Sequence, residues 1–158
     1  MNWSPMPLEF VQGLWPALMK DLWKRSAERR EAGAFLVASR QSPDVVSRWI
    51  AYDELDADSL RHTYVQLEPR AFSRLWELCN TFDLRVIADI HTHPHAPAQS
   101  ESDREHPMIA ISGHVALIAP RFARGVITPA HVSFNVYRGA GQWLSFLGRH
   151  AAALIIAP

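Results

Sequence analysis

The compact apolar run Leu84 to Ile90, broken only by Arg85 and Asp89, ends on His91-Thr92-His93-Pro94 and a polar, proline-rich stretch reaching Gln99. Proline lacks the backbone donor that a sheet ladder needs, so a strand over Leu84 to Ile90 has to stop there. Any fold available to this chain must therefore hold a pair of imidazoles at the end of a buried strand. On extended backbone, residues i and i+2 project to one side, so His91 and His93 can face a common ion while Thr92 faces away. Pro94 pushes the residue before it out of the helical region and keeps His93 extended.

Around this strand the periodicity of the sequence alternates between helix and sheet. Leu14, Leu18 and Leu22, with Met19 and Trp23 beside them, recur at helical spacing while Lys20, Lys24, Arg25 and Arg29 fall on other faces, predicting a helix from about Trp15 to Arg30. Pro16 suits its first turn, Gly33 lies just past its end, and Trp15 and Trp23 read as core. Ala34 to Ala38 and Val45 to Tyr52 are apolar runs joined by Gln41-Ser42-Pro43-Asp44, the composition of a hairpin. Asp53 to Asp58 reads as an acidic loop and Thr63 to Leu67 as a strand. Ala71 to Thr81 reads as a helix burying Phe72, Leu75, Trp76 and Cys79. His114 to Ala119, Val132 to Tyr137 and Gln142 to Leu147 complete the strands, with an irregular loop from Pro120 to Ala130, and His150 to Ile156 suits either a helix or a strand. Such mixing predicts the α/β (α+β) class, a single mixed sheet flanked by helices.

A chain of 158 residues is the size of one domain and buries a core without covalent staples. With Cys79 as its one cysteine it forms no intramolecular disulfide and no zinc site built on paired thiolates, which fits a reducing, cytoplasmic setting. Sixteen basic and sixteen acidic side chains cancel without long blocks of either sign, unlike a nucleic-acid binder. The apolar run Ala151 to Ala157 is far shorter than the roughly 20 residues of a membrane span.

Downstream of the histidines, Ser100-Glu101-Ser102-Asp103 carries a third ligand candidate, the acid Asp103. Serine followed three residues later by an acid is also a helix-capping pattern, and the two readings are compatible. A carboxylate in a first helical turn has a fixed direction, and the helix dipole favours its ionised, metal-binding form. His91, His93 and Asp103 suit a zinc ion with a fourth position open to water, and an open position points to hydrolysis. Hydrolysis needs a further carboxylate to carry the water's proton to the leaving group. No His-Glu-x-x-His helix supplies it, and local sequence does not choose among Glu28, Glu31, Glu54, Glu68, Glu77, Glu101 and Glu105. His95 could reach the ion as well, and Asp89 could orient an imidazole, although a solvated strand-edge aspartate is the simpler reading.

Taken together, Glu31-Ala32-Gly33-Ala34-Phe35-Leu36-Val37, His91-Thr92-His93-Pro94 and Ser100-Glu101-Ser102-Asp103 resemble the pattern of the JAMM/MPN (JAB) metalloproteases. The interval between His93 and Asp103 is one residue shorter than is common there, and Ala34 stands where a glycine usually follows. The resemblance implies a cytidine-deaminase-like sandwich, zinc held by His91, His93 and Asp103, Glu31 as general base and acid, and Ser100 stabilising the oxyanion. It also implies cleavage of isopeptide or peptide bonds after the C-terminal tail of a ubiquitin-like protein, beside activating and conjugating enzymes, as in stand-alone prokaryotic members. The other reading is a non-catalytic scaffold of the same family, with the zinc chemistry lost. Nucleoside deamination, which needs a Cys-x-x-Cys pair, fails with one cysteine.

Overall fold

In the computed structural model, residues 4–61 and 64–158 are described. Its frame is a six-stranded mixed sheet built from β2 (Gly33–Ser39), β4 (Arg48–Ala51), β5 (Leu84–Thr92), β6 (Val115–Ala119), β7 (Ser133–Gly139) and β8 (Gln142–Phe146), in the order β4-β2-β5-β6-β7-β8. Strand β5 lies inside it, antiparallel to β2 and parallel to β6. Strand β2 is apolar and buried almost without alternation, as central strands are, and β5 is buried over Ala88 to Ile90 beside it. The α/β class expected from the sequence is the one observed.

A second sheet accompanies it, which the sequence did not announce. Strand β1 (Leu8–Phe10) pairs in parallel with β3 (Val45–Val46) on one side and β9 (Ile155–Ile156) on the other. Three residues are too few to show a period. Val45 and Val46 therefore leave the expected hairpin for this sheet, while β4 alone pairs with β2. The ambiguous tail is both of its readings in succession, a short helix α5 (Arg149–Ala152) followed by β9.

Helix α1 (Leu14–Ser26) buries Leu14, Trp15, Leu18, Met19 and Leu22 along one face, and each such side chain removed from water contributes about 1.5–3 kcal/mol. Trp15 is core, its indole N–H donating to Ile127 O at 2.7 Å. The helix ends at Ser26, short of the expected Arg30, because Ala27 and Glu28 take left-handed φ values of 51° and 57°. That turn frees residues 27–32 to run back towards β5. Gly33 consequently opens β2 and does not cap the helix.

Tyr52, expected to end a strand, instead begins the short helix α2 (Tyr52–Leu55), which takes in part of the predicted acidic loop. Of the strand expected over Thr63 to Leu67, Thr63 lies outside the described residues, and Val65 makes an isolated bridge to Leu60. Helix α3 (Pro69–Thr81) buries Ala71, Leu75 and Cys79, at a spacing of four. Trp76, expected in the core, is 46% exposed because it sits one residue round the helix from Leu75, and Phe72 is only half-buried. Among the described residues, no helix is long and apolar enough to cross a membrane.

Candidate metal centre

The strand end that carries the histidines is fixed from both sides. Thr92, facing away from them, is fully buried, and its hydroxyl meets Ser26 Oγ of α1 at 2.9 Å and accepts from Ala32 N at 3.0 Å. Thr92 N in turn donates to Ala32 O at 2.8 Å. These bonds tie the segment holding Glu31 to the segment holding His91 and His93. On the far side, His93 N donates to Ala119 O, and Arg121 and Phe122 N donate to His95 O and His93 O. Arg121, Phe122 and Ala123 all lie at positive φ, between 53° and 62°, a costly conformation for residues with a Cβ and one that clusters where geometry is functionally constrained.

Asp103 arrives from α4 (Glu101–Glu105), capped as its sequence predicts: Asp103 N donates to Ser100 Oγ at 3.1 Å and Ser100 N donates to Asp103 Oδ2 at 2.8 Å. The aspartate's remaining capacity is turned to the imidazoles. Its Oδ1 lies 3.3 Å from His91 Nε2 and its Oδ2 lies 3.0 Å from His93 Nε2. The two Nε2 atoms are 3.0 Å apart. His93 Nδ1 lies 3.3 Å from Ala96 O, and an N–H donated there leaves the Nε2 lone pair facing the cluster.

Glu31 completes the group, with Oε1 at 3.8 Å from His93 Nε2. Of the seven glutamates that local sequence left open it is the one buried, at 4% exposure, while the other six are exposed. Ligand atoms of Glu31, His91 and His93 lie within 4.8 Å of one another, close enough to share a metal ion. Asp103 touches both imidazoles more closely than Glu31 does, so the donor set offers two imidazoles with a carboxylate on either side. Nitrogen and oxygen donors of this kind suit a divalent transition metal.

Without an ion, the electrostatics work against keeping His91 neutral. Burial alone would lower its pKa, but the hydrogen bond and charge of Asp103, with the charges of Glu31 and Asp89, more than offset this and hold it above the ordinary value. For Asp103, burial pushes the carboxyl up, yet the hydrogen bonds from His91 and His93 and from Ser100 N outweigh it and hold the group far below the usual carboxylate range. Asp103 is thus an ionised ligand at any ordinary pH.

One sequence reading is corrected here, and a lesser alternative, His95 as a further ligand, finds no support because His95 is exposed. Asp89 is no solvated edge residue: it is 3% exposed and lies 2.6 Å from His114 Nε2, so the imidazole it meets belongs to neither His91 nor His93. Residues of the site that sequence reasoning passed over include Tyr52 and Gly33. Gly33 faces His91 across the β2–β5 ladder, and a Cβ there would stand 2.4 Å from the Tyr52 ring. The ring of Tyr52 thereby reaches a narrow cleft, of about 60 Å³, walled also by Asp89, His91, Asp103 and Trp143. Burial, with the charge of Asp89 and a hydrogen bond to its carboxylate added, raises the Tyr52 phenol well above its usual pKa. Nothing near Tyr52 in the sequence marks it out. The spacing Glu31-Ala32-Gly33 was visible, but its need for a bare Cα was not.

No family model matches the chain. Among solved structures, a protein of Desulfitobacterium hafniense determined in solution superposes with a TM-score of 0.66 at 15% identity, covering 94% of this chain and 92% of that one. A protein of Salinibacter ruber, also determined in solution, gives 0.55 at 14% identity, covering 95% and 91%. A JAB1/MPN domain protein from Archaeoglobus fulgidus gives 0.41 at 17% identity, covering 92% and 98%, a likeness too slight to build on. The chain thus shares its α/β fold with the first two proteins along nearly its whole length, and at the junction of β2, β5 and α4 that fold gathers two histidines and two acids able to hold a metal ion.

Proposed function

We propose that this chain is a zinc-dependent peptidase or isopeptidase of the JAMM/MPN type that cuts the bond after the C-terminal tail of a ubiquitin-like protein. The observation that carries the reading is the convergence of Glu31, His91, His93 and Asp103 from three distant segments, two of them bound together by Thr92. A merely structural ion pair would not require a buried glutamate beside two imidazoles, since each buried charge costs several kcal/mol to desolvate.

In this reading His91, His93 and Asp103 hold zinc, which when bound supplies a Lewis acid and lowers the pKa of its water to about 7. Glu31, in a dry setting at 4% exposure, accepts the water's proton on its carboxylate and delivers it to the departing amine. Ser100 keeps its hydroxyl hydrogen available while its oxygen caps α4, and that hydrogen can meet charge growing on the scissile carbonyl oxygen. The narrow cleft excludes bulk water and favours a slim, extended chain, the form of a ubiquitin-like tail, which could add to the free sheet edge at β8, next to Trp143. The activating and conjugating enzymes of such a pathway are the partners this reading implies.

The experiment is to offer ubiquitin-like proteins fused through their tails to a reporter, with and without chelator, and to identify the cut bond by product mass. Cleavage after the tail that stops on chelation and returns with zinc is the expected result. Protein that binds no zinc and cuts nothing would instead be the non-catalytic scaffold.

A further inference from the structure

Next to the strand end that carries the histidines lies a hollow of about 310 Å³, walled by Trp23, Glu28, Pro94, Arg121, Phe122 and Arg124. Two of these residues adjoin the metal centre: Pro94 follows His93, and Glu28 stands three residues before Glu31. The hollow shares no wall residue with the cleft beside Trp143. His91 borders that cleft as Pro94 borders this hollow, and the three residues of chain between them span no more than about 11 Å. The far wall is fixed to the ligand strand. Arg121 N and Phe122 N donate to His95 O at 3.0 Å and to His93 O at 2.8 Å, and residues 121–123 hold left-handed φ against their steric preference.

Charge decides what such a hollow receives. Arg121 and Arg124 are exposed, and among the described residues neither guanidinium has an ion-pair partner. Glu28, the acid on the wall, offsets one of the two charges and leaves the hollow basic. Guanidinium groups beside the apolar surface of Trp23, Pro94 and Phe122 suit a carboxylate, which they bind through paired, charge-assisted hydrogen bonds. Glu31, in the metal-dependent reading above, passes a proton to the departing amine, so the segment carrying that amine leaves on the glutamate's side. Glu28 and Pro94 put the hollow on that side. We propose that Arg121 and Arg124 determine specificity for the leaving segment by binding an acidic side chain on it. The inference rests on the metal-dependent reading and deepens it, naming the charge that the released partner carries near the cut bond.

The test uses zinc-loaded protein and three succinyl hydroxamates, whose hydroxamate holds the metal while the chain beyond it replaces the leaving segment. They end in glutamic acid α-amide, in glutamine α-amide and in glutamine with a free α-carboxylate. Wild-type protein is expected to bind the glutamate probe about fivefold more tightly than the glutamine amide at low salt, the size of an exposed ion pair, with the gap narrowing at high salt. In the double variant Arg121→Gln/Arg124→Gln the gap is expected to vanish, while zinc content, melting temperature and affinity for the glutamine amide stay unchanged. Equal wild-type affinity for the two amides would overturn the proposal, as would a gap that survives in the double variant. Tighter binding of the free α-carboxylate than of the glutamate probe would overturn it too, giving the arginines to a chain terminus. Zinc uptake without the glutamate preference refutes this inference alone, whereas wild-type protein that takes up no zinc refutes the metal reading and this inference with it.

Discussion

Ser100 and Asp103 are bound to each other twice, side chain to backbone in both directions, and the Oδ2 that closes this cap also reaches His93 while Oδ1 reaches His91. One short helix end therefore performs both tasks. The backbone N–H of Ser100 aims the carboxylate, and the histidines receive it.

Replacing Ser100 with Ala removes the cap acceptor but leaves the backbone bond to Asp103 Oδ2 intact. We expect a loss of about 1 kcal/mol in denaturant unfolding, near-normal zinc content and a turnover lowered by about 10²-fold. Zinc lost along with activity would show that the hydroxyl orients Asp103 and has no separate part in the reaction.

Glu31→Gln should keep zinc and lose at least about 10²-fold in cleavage, because the amide cannot take up a proton at neutral pH. His91→Ala should lose both. Metal analysis beside a cleavage assay separates the two, and a Gln variant cutting at the native rate would remove Glu31 from its role.

Thr92→Val keeps the shape of the side chain and deletes the hydroxyl that meets Ser26 Oγ and Ala32 N. Two buried polar groups then lose a partner, at about 1–3 kcal/mol each. Chemical unfolding should register that cost. Because the bond to Ala32 also anchors the residue after Glu31, cleavage should fall by more than the stability change explains.

At Gly33 even a methyl group has no room, with the Tyr52 ring at 2.4 Å and Ile90 O at 2.6 Å from a would-be Cβ. Gly33→Ala is expected to destabilise the protein by about 1–3 kcal/mol, and to displace the ring beside His91. A melting temperature equal to that of the wild type would contradict this packing.

Protons should compete with the metal at His91 and not at Asp103. His91's folded-state pKa is raised above its ordinary 6.5, so in the metal-free protein its contribution to stability is complete below 6.5 and is lost as pH rises through the folded value. Zinc requires the neutral ring, and its affinity should therefore climb over that same window and weaken in acid. Asp103's pKa is depressed below its ordinary 3.8, so its contribution is present above 3.8 and is lost only as pH falls toward the folded value. Competition against a chromophoric chelator from pH 5.5 to 8.5 reads the slope, and a flat profile would show that His91 stays neutral throughout.

Much of this architecture is legible in residue order because the informative patterns are local. An apolar run stopped by proline marked the end of β5, a spacing of four marked the inner face of α1, and serine before Asp103 marked the cap of α4. Each depends on backbone geometry within a few residues. Where reading failed, the deciding partner was distant in sequence. Strand β1 is defined by pairing with residues 45–46 and 155–156. Asp89 became a buried partner of His114 because β6 lies beside β5.

Sequence alone offered His91, His93 and Asp103 as groups able to bind an ion, since their side-chain chemistry and the extended path before Pro94 follow from local sterics. Tertiary structure decided which carboxylate joins them and what surrounds them. Glu31 is buried beside His93, whereas Glu101, far nearer in the chain, is exposed. Tyr52 enters the cleft across the bare face of Gly33. The physical reason is that burial and convergence depend on how strands stack side by side, and strand pairing brings together residues whose separation along the chain carries no local signal.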